Sequence, residues 1–271
     1  MLTPVHKMFS LNERKRVATE SVQTPAPTRR ERQRQATLDE ILEVSRALLT
    51  EPNGLSLRAV AQQMGITAPA LYRYVSNYQD LVYLVADDID TDLFETLTVA
   101  RDTYPDDDPA AQILSAGVAF RRWALTCKEE FTLVFANPIT AKSIENRDEI
   151  SGSKTGDFFS ELLEKVFARY EFPVPSVDDL DPDVVKALRE PFSAAIPCQF
   201  PDEVLGLGWV FMRSWASLYG TVTLEVFGHL DPYIIESGAM FRAMLEEQAQ
   251  RLGFGDELPR LRPIVVEEMS R

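Results

Sequence analysis

Two cysteines in 271 residues, Cys127 and Cys198, stand far apart in the chain. They offer neither a CxxC redox pair nor a cysteine-rich zinc site, and no disulfide framework is expected. Two histidines, His6 and His229, are too few for a histidine metal site or a histidine-based catalytic array. No apolar run approaches the ~20 residues a membrane-spanning helix needs; Val204 to Met212 is among the longest. The opening residues, MLTPVHKMFSLNERKR, lack the apolar stretch of ~7–15 residues and the small-residue cleavage site of a secretory leader. A cytoplasmic protein is therefore expected. GxxxxGK[ST], GxGxxG and HExxH are all missing, and the Gly-Leu-Gly at 206–208 has no third glycine. A helical enzyme remains a competing class without residues to carry it, and neither cofactor nor metal is expected.

What is present is a core: 45% of the residues are apolar and 10% aromatic, ordinary for a globular protein and too much for a disordered one. The charge is unevenly spread. Through Gln79 the chain carries 11 Lys and Arg against 7 Asp and Glu, a net +4, which leaves −18 on the remainder of a chain whose total is −14. A basic head on an acidic body fits a protein that meets a polyanion at one end. An acidic body that merely aids solubility is the plainer alternative.

Periodicity predicts an all-α protein of about nine or ten helices. Residues 1–28, with TPAPT and scattered charge, read as a disordered extension. Helix is expected from about Arg30 to Leu49, on the spacing of Leu38, Ile41, Leu42, Ser45, Leu48 and Leu49, and is stopped by Pro52, Asn53 and Gly54. Two short helices follow Ser56 and Thr67, and a long one runs from about Asn77 to Arg101. Further helices are expected over Pro109–Cys127, Glu129–Ala136, Thr155–Tyr170, Pro182–Ala194, Pro201–Gly228 and Pro232–Leu252. Phe172–Leu180 reads as loop and 256–271 as a tail. No period-two alternation and no internal repeat stand out.

The stretch LSLRAVAQQMGITAPALYRYV, residues 55–75, meets the demands of a helix-turn-helix. Val60, Met64, Ile66, Leu71 and Tyr74 supply apolar contacts, and Ala61 is small where two crossing helices come closest. Gly65 permits positive φ at the turn, Thr67 can cap the next helix, and Pro69 falls in its first turn. In such a motif the second helix enters the DNA major groove by its N-terminal end. Another helical hairpin in a bundle would share the apolar spacing. It would not need Tyr72, Arg73, Tyr74 and Tyr78 so close together, whose hydroxyls and guanidinium suit phosphate oxygens.

Over about residues 36–85 the sequence resembles the tetracycline-repressor (TetR-like) family of bacterial transcription regulators, most specifically in Leu-Tyr-Arg-Tyr-Val at 71–75 and the Asp-Leu helix start at 80–81. A second, weaker resemblance lies in WASLYGTVTLE at 215–225, where Tyr219 stands in place of the family's His. The resemblance implies a three-helix DNA-binding domain at 29–80 and a ligand-binding and dimerising domain at 81–255. It implies a homodimer on a palindromic operator, released by a small molecule; a same-fold activator or a ligand-independent regulator is the alternative. Ser56 and Arg58 should approach phosphates, and Thr67, Ala68, Pro69 and Ala70 should face base edges. Tyr72 and Tyr74 should hold the DNA backbone, and Arg73 should reach a guanine or a phosphate. Tyr78 replaces a Lys common in the family, which should make the salt slope shallower by about one ion per subunit. The basic run at 29–34 is either an arm for the adjacent minor groove or the solvated start of the first helix.

The body holds most of the large aromatics, which are either packed core or the wall of an effector pocket. Phe120, Trp123, Phe158, Met212 and Trp215 are the candidate wall, with Cys127, Tyr219, Thr223 and Arg122 as polar fixers, for an apolar or aromatic ligand. Leu207, Phe211, Leu218 and Val222 on one long helix and Ile234, Gly238, Phe241 and Leu245 on the next are the expected dimer seam. The open alternative is that these stripes bury within one chain.

Overall fold

A computed structural model describes residues 28–52, 54–137, 154–170, 172–189 and 205–271. The disordered extension expected at 1–28 thus falls almost wholly outside the described residues. Among those described there are twelve α-helices and no strand: α1 (Arg29–Leu49), α2 (Leu57–Gln63), α3 (Ala68–Leu71), α4 (Tyr78–Asp102), α5 (Pro109–Thr126), α6 (Lys128–Phe131), α7 (Lys154–Tyr170), α8 (Pro182–Arg189), α9 (Leu205–Val226), α10 (Pro232–Ser237), α11 (Ala239–Arg251) and α12 (Leu258–Ser270).

The helix starts are written in side chains. Thr28 and Glu31 form a reciprocal capping box at α1, satisfying two backbone donors that have no intrahelical partner. Asn77 accepts from the Asp80 amide at 2.9 Å to open α4. Asp108 caps α5 just ahead of Pro109 at its first position, where a missing N–H costs nothing. Because α1 begins at Arg29, the basic run 29–34 is the exposed first turns of a helix and not an extended arm.

Two apolar cores share one helix. The N-terminal core joins Ile41 and Leu48 of α1, Val60 and Ala61 of α2, Leu71 of α3, and Leu81, Val82, Val85 and Ile89 of α4. The larger core takes Leu93, Leu97 and Ala100 from the same helix and packs them with α5, α7, α9, α11 and α12. A boundary drawn at residue 80 therefore falls inside α4, whose apolar stripe serves one core in its first half and the other in its second. A small cluster around Leu188 and Leu205, with Met212 against it, ties α8 to α9.

The joint between the cores is held by charge as well as by α4. Arg46 of α1 reaches Asp88 at 2.9 Å and Asp92 at 2.5 Å on α4, and Glu130 of α6 at 2.8 Å. After α6 the chain makes a π-helical turn, Thr132–Ala136, a form frequent at functional sites. Its Leu133 is buried in the N-terminal core while Phe135 packs against the larger one.

Three expectations give way here. Residues 258–270, read as tail, are α12, whose Leu258, Leu261 and Val265 are buried. The three turns lie within a short segment with an internal Pro263, which masked the period. The helix expected over Pro232–Leu252 breaks at Gly238, which has φ 62°. A side chain there would collide with Met269, so this glycine is required by packing within the chain. The seam stripes follow suit: Leu207, Phe211, Leu218, Val222, Phe241 and Leu245 are all buried in the single chain, and Ile234 is half-buried. Sequence periodicity marks a buried face without saying which partner buries it.

Candidate nucleic-acid interface and effector cavity

The helix-turn-helix is built from α2 and α3. Ser56 Oγ accepts from the Ala59 amide at 3.2 Å and fixes the start of α2, so its hydroxyl is engaged in capping. At the other end Gly65 lies at φ 67°. The Ile66 amide bonds to the Ala61 carbonyl at 3.0 Å and the Gly65 amide to the Gln62 carbonyl at 3.2 Å. This Schellman pairing needs a left-handed residue at its pivot, which explains the glycine. The turn aims the N-terminus of α3 outward.

Thr67 is the N-cap of α3 but makes no side-chain capping bond, which leaves its hydroxyl available. Thr67, Ala68 and Pro69 are exposed and Ala70 half-buried. Leu71, by contrast, is buried beneath them and anchors the helix. Tyr72 is 53% exposed, and Arg73 and Arg58 are exposed as well. Tyr78, at the first turn of α4, is also exposed. Tyr74 differs: it is half-buried against the N-terminal core, with the Arg34 guanidinium 5.4 Å from its ring centroid. The surface so formed carries donors and cations and no carboxylate from α2 or α3.

The aromatic residues expected to wall a pocket are mostly packed shut. Phe120 is fully buried at the centre of a cluster with Trp123, Phe131, Phe135, Phe159 and Trp215, with ring centroids 5.6–6.2 Å away. Such offset and edge-on contacts are a core arrangement. Phe158 is buried beside Phe94 and Phe159. Tyr219 stacks on Trp215 and donates to the Phe135 carbonyl at 3.1 Å. Arg122 donates to the Glu268 carbonyl at 3.2 Å and so holds α12 in place. Cys127 is a half-buried free thiol whose pKa is pushed up by burial. Met212 belongs to the α8–α9 cluster, and the Thr223 hydroxyl is buried without a partner.

The cavity lies one layer away, between α5, α7, α9 and α11. It measures about 70 Å³ and is lined by Ile113, Leu114, Gly117, Phe159, Leu163, Phe211, Ser214, Trp215, Leu218, Met244, Leu245, Gln248 and Leu252. Of the residues expected to bind an effector only Trp215 lines it, whereas Phe211, Leu218 and Leu245, expected at a seam, do. Ser214 and Gln248 escaped the sequence reading, although each is a polar residue set in an apolar stripe of helical spacing, Phe211–Ser214–Leu218 and Leu245–Gln248–Leu252. A polar side chain at such a position is the signal that could have found them.

A buried ion pair and a buried capping carboxylate brace this body. Arg121 Nε donates to Glu225 Oε2 at 2.6 Å and an Arg121 terminal nitrogen to the Ile235 carbonyl at 2.7 Å, joining α5, α9 and α10. Burial nonetheless pushes the Glu225 carboxyl above the usual range, and the bond from Arg121 offsets only part of that. Asp90 of α4 accepts from the Lys154 and Thr155 amides at 2.8 and 3.4 Å and thereby caps α7 from a neighbouring helix. Among the described residues no His, Cys, Asp or Glu cluster could hold a metal ion, and no helix is long and apolar enough to cross a membrane.

The family description "Tetracyclin repressor-like, C-terminal domain" matches residues 113–248, half of the chain. Over 213 residues the chain is 28% identical to the HTH-type transcriptional regulators Mb1846 of Mycobacterium bovis and Rv1816 of Mycobacterium tuberculosis, spanning 75% of this chain and 86% of each relative. The solved structure of SCO4313, described as a regulatory protein, shares the fold at a TM-score of 0.53 and 21% identity, over 82% of this chain and 98% of that one. The exposed N-terminal end of α3 and the helical body behind it thus carry the same meaning as the matched region: the chain is a transcriptional regulator of the TetR-like family.

Proposed function

We propose that the protein binds a palindromic DNA operator as a homodimer and acts as a repressor that a small apolar molecule releases. The observation that carries the reading is the free end of α3. Thr67 makes no side-chain capping bond, Ala68 and Pro69 leave the backbone approachable, and Tyr72 and Arg73 stand exposed beside it. Small residues at the N-terminus of a recognition helix let it sit deep in the major groove, and flanking hydroxyls and cations hold phosphates. Arg58, Tyr72, Arg73 and Tyr78 are assigned to phosphates, and Thr67, Ala68, Pro69 and Ala70 to base edges. Ser56 and Tyr74 act through the shape of the head. Binding to the chromosome would place the protein in the cytoplasm, associated with the nucleoid.

The dimer surface is assigned to the outer face of α9 and α11. Ala216 and Leu224 on α9, Phe227 just past its end, and Met240 and Ala243 on α11 are exposed, with Gly220 half-buried among them. Ala216, Gly220, Leu224 and Phe227 recur at spacings of three and four, opposite the buried stripe, and the small ones permit close helix approach. Two half-sites must be held about 34–36 Å apart, or a multiple of it, which requires two heads. Electrophoretic mobility shift with a duplex from the gene's own upstream region tests the reading. A retarded complex lost in Arg73→Ala supports it, and no complex at low salt refutes it. Leu224→Glu should convert the dimer to monomer in sedimentation.

A further inference from the structure

The cavity between α5, α7, α9 and α11 has a chemical signature more specific than "apolar". Among the described residues thirteen line it, and none of these carries an ionisable acid or base. A charged ligand would lose its hydration with no counter-ion to replace it, so the occupant is neutral. Phe159, Phe211, Trp215 and Leu245 supply dispersion contacts to a hydrocarbon chain or ring. Two uncharged polar side chains, Gln248 and Ser214, interrupt the apolar lining. Gln248 is 8% exposed, and its Oε1 is buried with no hydrogen-bond partner. Ser214 Oγ, on the facing helix, is likewise buried and unpartnered. Both residues line this same cavity.

Buried polar groups without partners are rare in native proteins, because each costs about the full desolvation of that group. Two on one cavity wall ask for a third partner. Gln248 Oε1 can only accept, so the partner must donate. Ser214 Oγ–H can donate, so the partner can also accept. A single hydroxyl does both. The room matches the demand: about 70 Å³ is several times the ~10–15 Å³ that a single water occupies on a comparable scale.

We propose that this cavity binds a neutral alcohol, with its hydroxyl between Gln248 and Ser214 and its hydrocarbon part against Phe159, Phe211 and Trp215. The proposal rests on the reading above and names the chemical class of its effector. The test uses three probes on the full chain: 1-hexanol, its isomer dipropyl ether, which accepts but cannot donate, and hexanoate, which is charged. Binding is followed by tryptophan fluorescence, since Trp215 is in the wall, and by calorimetry.

The expected order is 1-hexanol at least about 10-fold tighter than dipropyl ether, with hexanoate weakest. In Gln248→Leu the preference for the alcohol over the ether should fall to about two-fold or less while the ether binds as well or better. That gain also shows that the variant is folded. Equal affinity for alcohol and ether, tighter binding of hexanoate, or a preference that survives Gln248→Leu would each overturn the proposal. Mobility shift on the upstream duplex is run beside it. Lost DNA binding with intact alcohol selectivity would refute the regulator reading alone, and intact DNA binding without selectivity would refute only the assigned ligand class.

Discussion

Replacing Arg121 by methionine should destabilise the protein by about 3–5 kcal/mol, the cost of leaving one member of a buried ion pair without its partner. The structure sets the magnitude. Glu225 has a fully buried side chain, and Arg121 is 10% exposed. One carboxylate oxygen, Oε2, takes the 2.6 Å bond from Arg121, while Oε1 has no partner at all. Removing the guanidinium therefore strands a carboxylate that already lacks one hydrogen bond. It also removes the donor to the Ile235 carbonyl and the cation 5.3 Å from the Phe241 ring centroid. Against a total stability of about 5–15 kcal/mol, such a loss is large. In urea, with a slope of ~3 kcal/mol/M, the midpoint should fall by about 1–1.7 M. The decisive comparison is Arg121→Met with Glu225→Leu. Taking both charges out should recover most of the loss, leaving about 2 kcal/mol or less, and the double-mutant cycle should give a coupling of at least about 2 kcal/mol. A loss below about 1 kcal/mol for Arg121→Met, or a double variant as weak as the sum of its parts, would refute the reasoning.

Burial and the neighbouring Glu161 push the Glu164 carboxyl up to about 7. Its stability contribution is full below the ordinary carboxylate range and is lost as pH rises through about 7. Glu164→Gln should therefore flatten the fall in melting temperature between pH 5 and 8 and raise it at pH 8; an unchanged pH profile contradicts this. Deleting residues 258–271 removes Leu258, Leu261 and Val265 from the larger core, at about 1.5–3 kcal/mol each. The truncated chain should unfold at or near room temperature by circular dichroism, whereas a true tail would be lost without effect.

The fold was legible where local signals agree. Thr28 with Glu31, Ser56, Asn77 and Asp108 with Pro109 each announce a helix start. Gly65 announces the turn, because a six-residue closing pattern needs one left-handed residue. The end of α3 was legible for the same reason: exposed Tyr72 and Arg73 have no use in a core. What could not be read was which partner covers a buried stripe. Phe211, Leu218 and Leu245 form the same pattern whether they face another subunit or the cavity of their own chain. Aromatic abundance likewise could not separate the closed cluster around Phe120 from a wall with room behind it. That difference depends on how α5, α7, α9 and α11 cross, a matter of tertiary geometry. The α12 helix was lost to its own shortness, since thirteen residues with Pro263 inside them give a weak period.

The most direct test of the central claim, that the outward end of α3 and its flanking cations grip duplex DNA, is the salt dependence of binding to the upstream duplex by fluorescence anisotropy. Wild type and Arg58→Ala/Arg73→Ala are compared. For a dimer the double substitution removes four phosphate-facing charges, and the slope of log K against log salt should become shallower by about 3–4, with binding weaker at every salt concentration. An unchanged slope, or a wild-type protein that ignores the duplex at low ionic strength, would contradict the account.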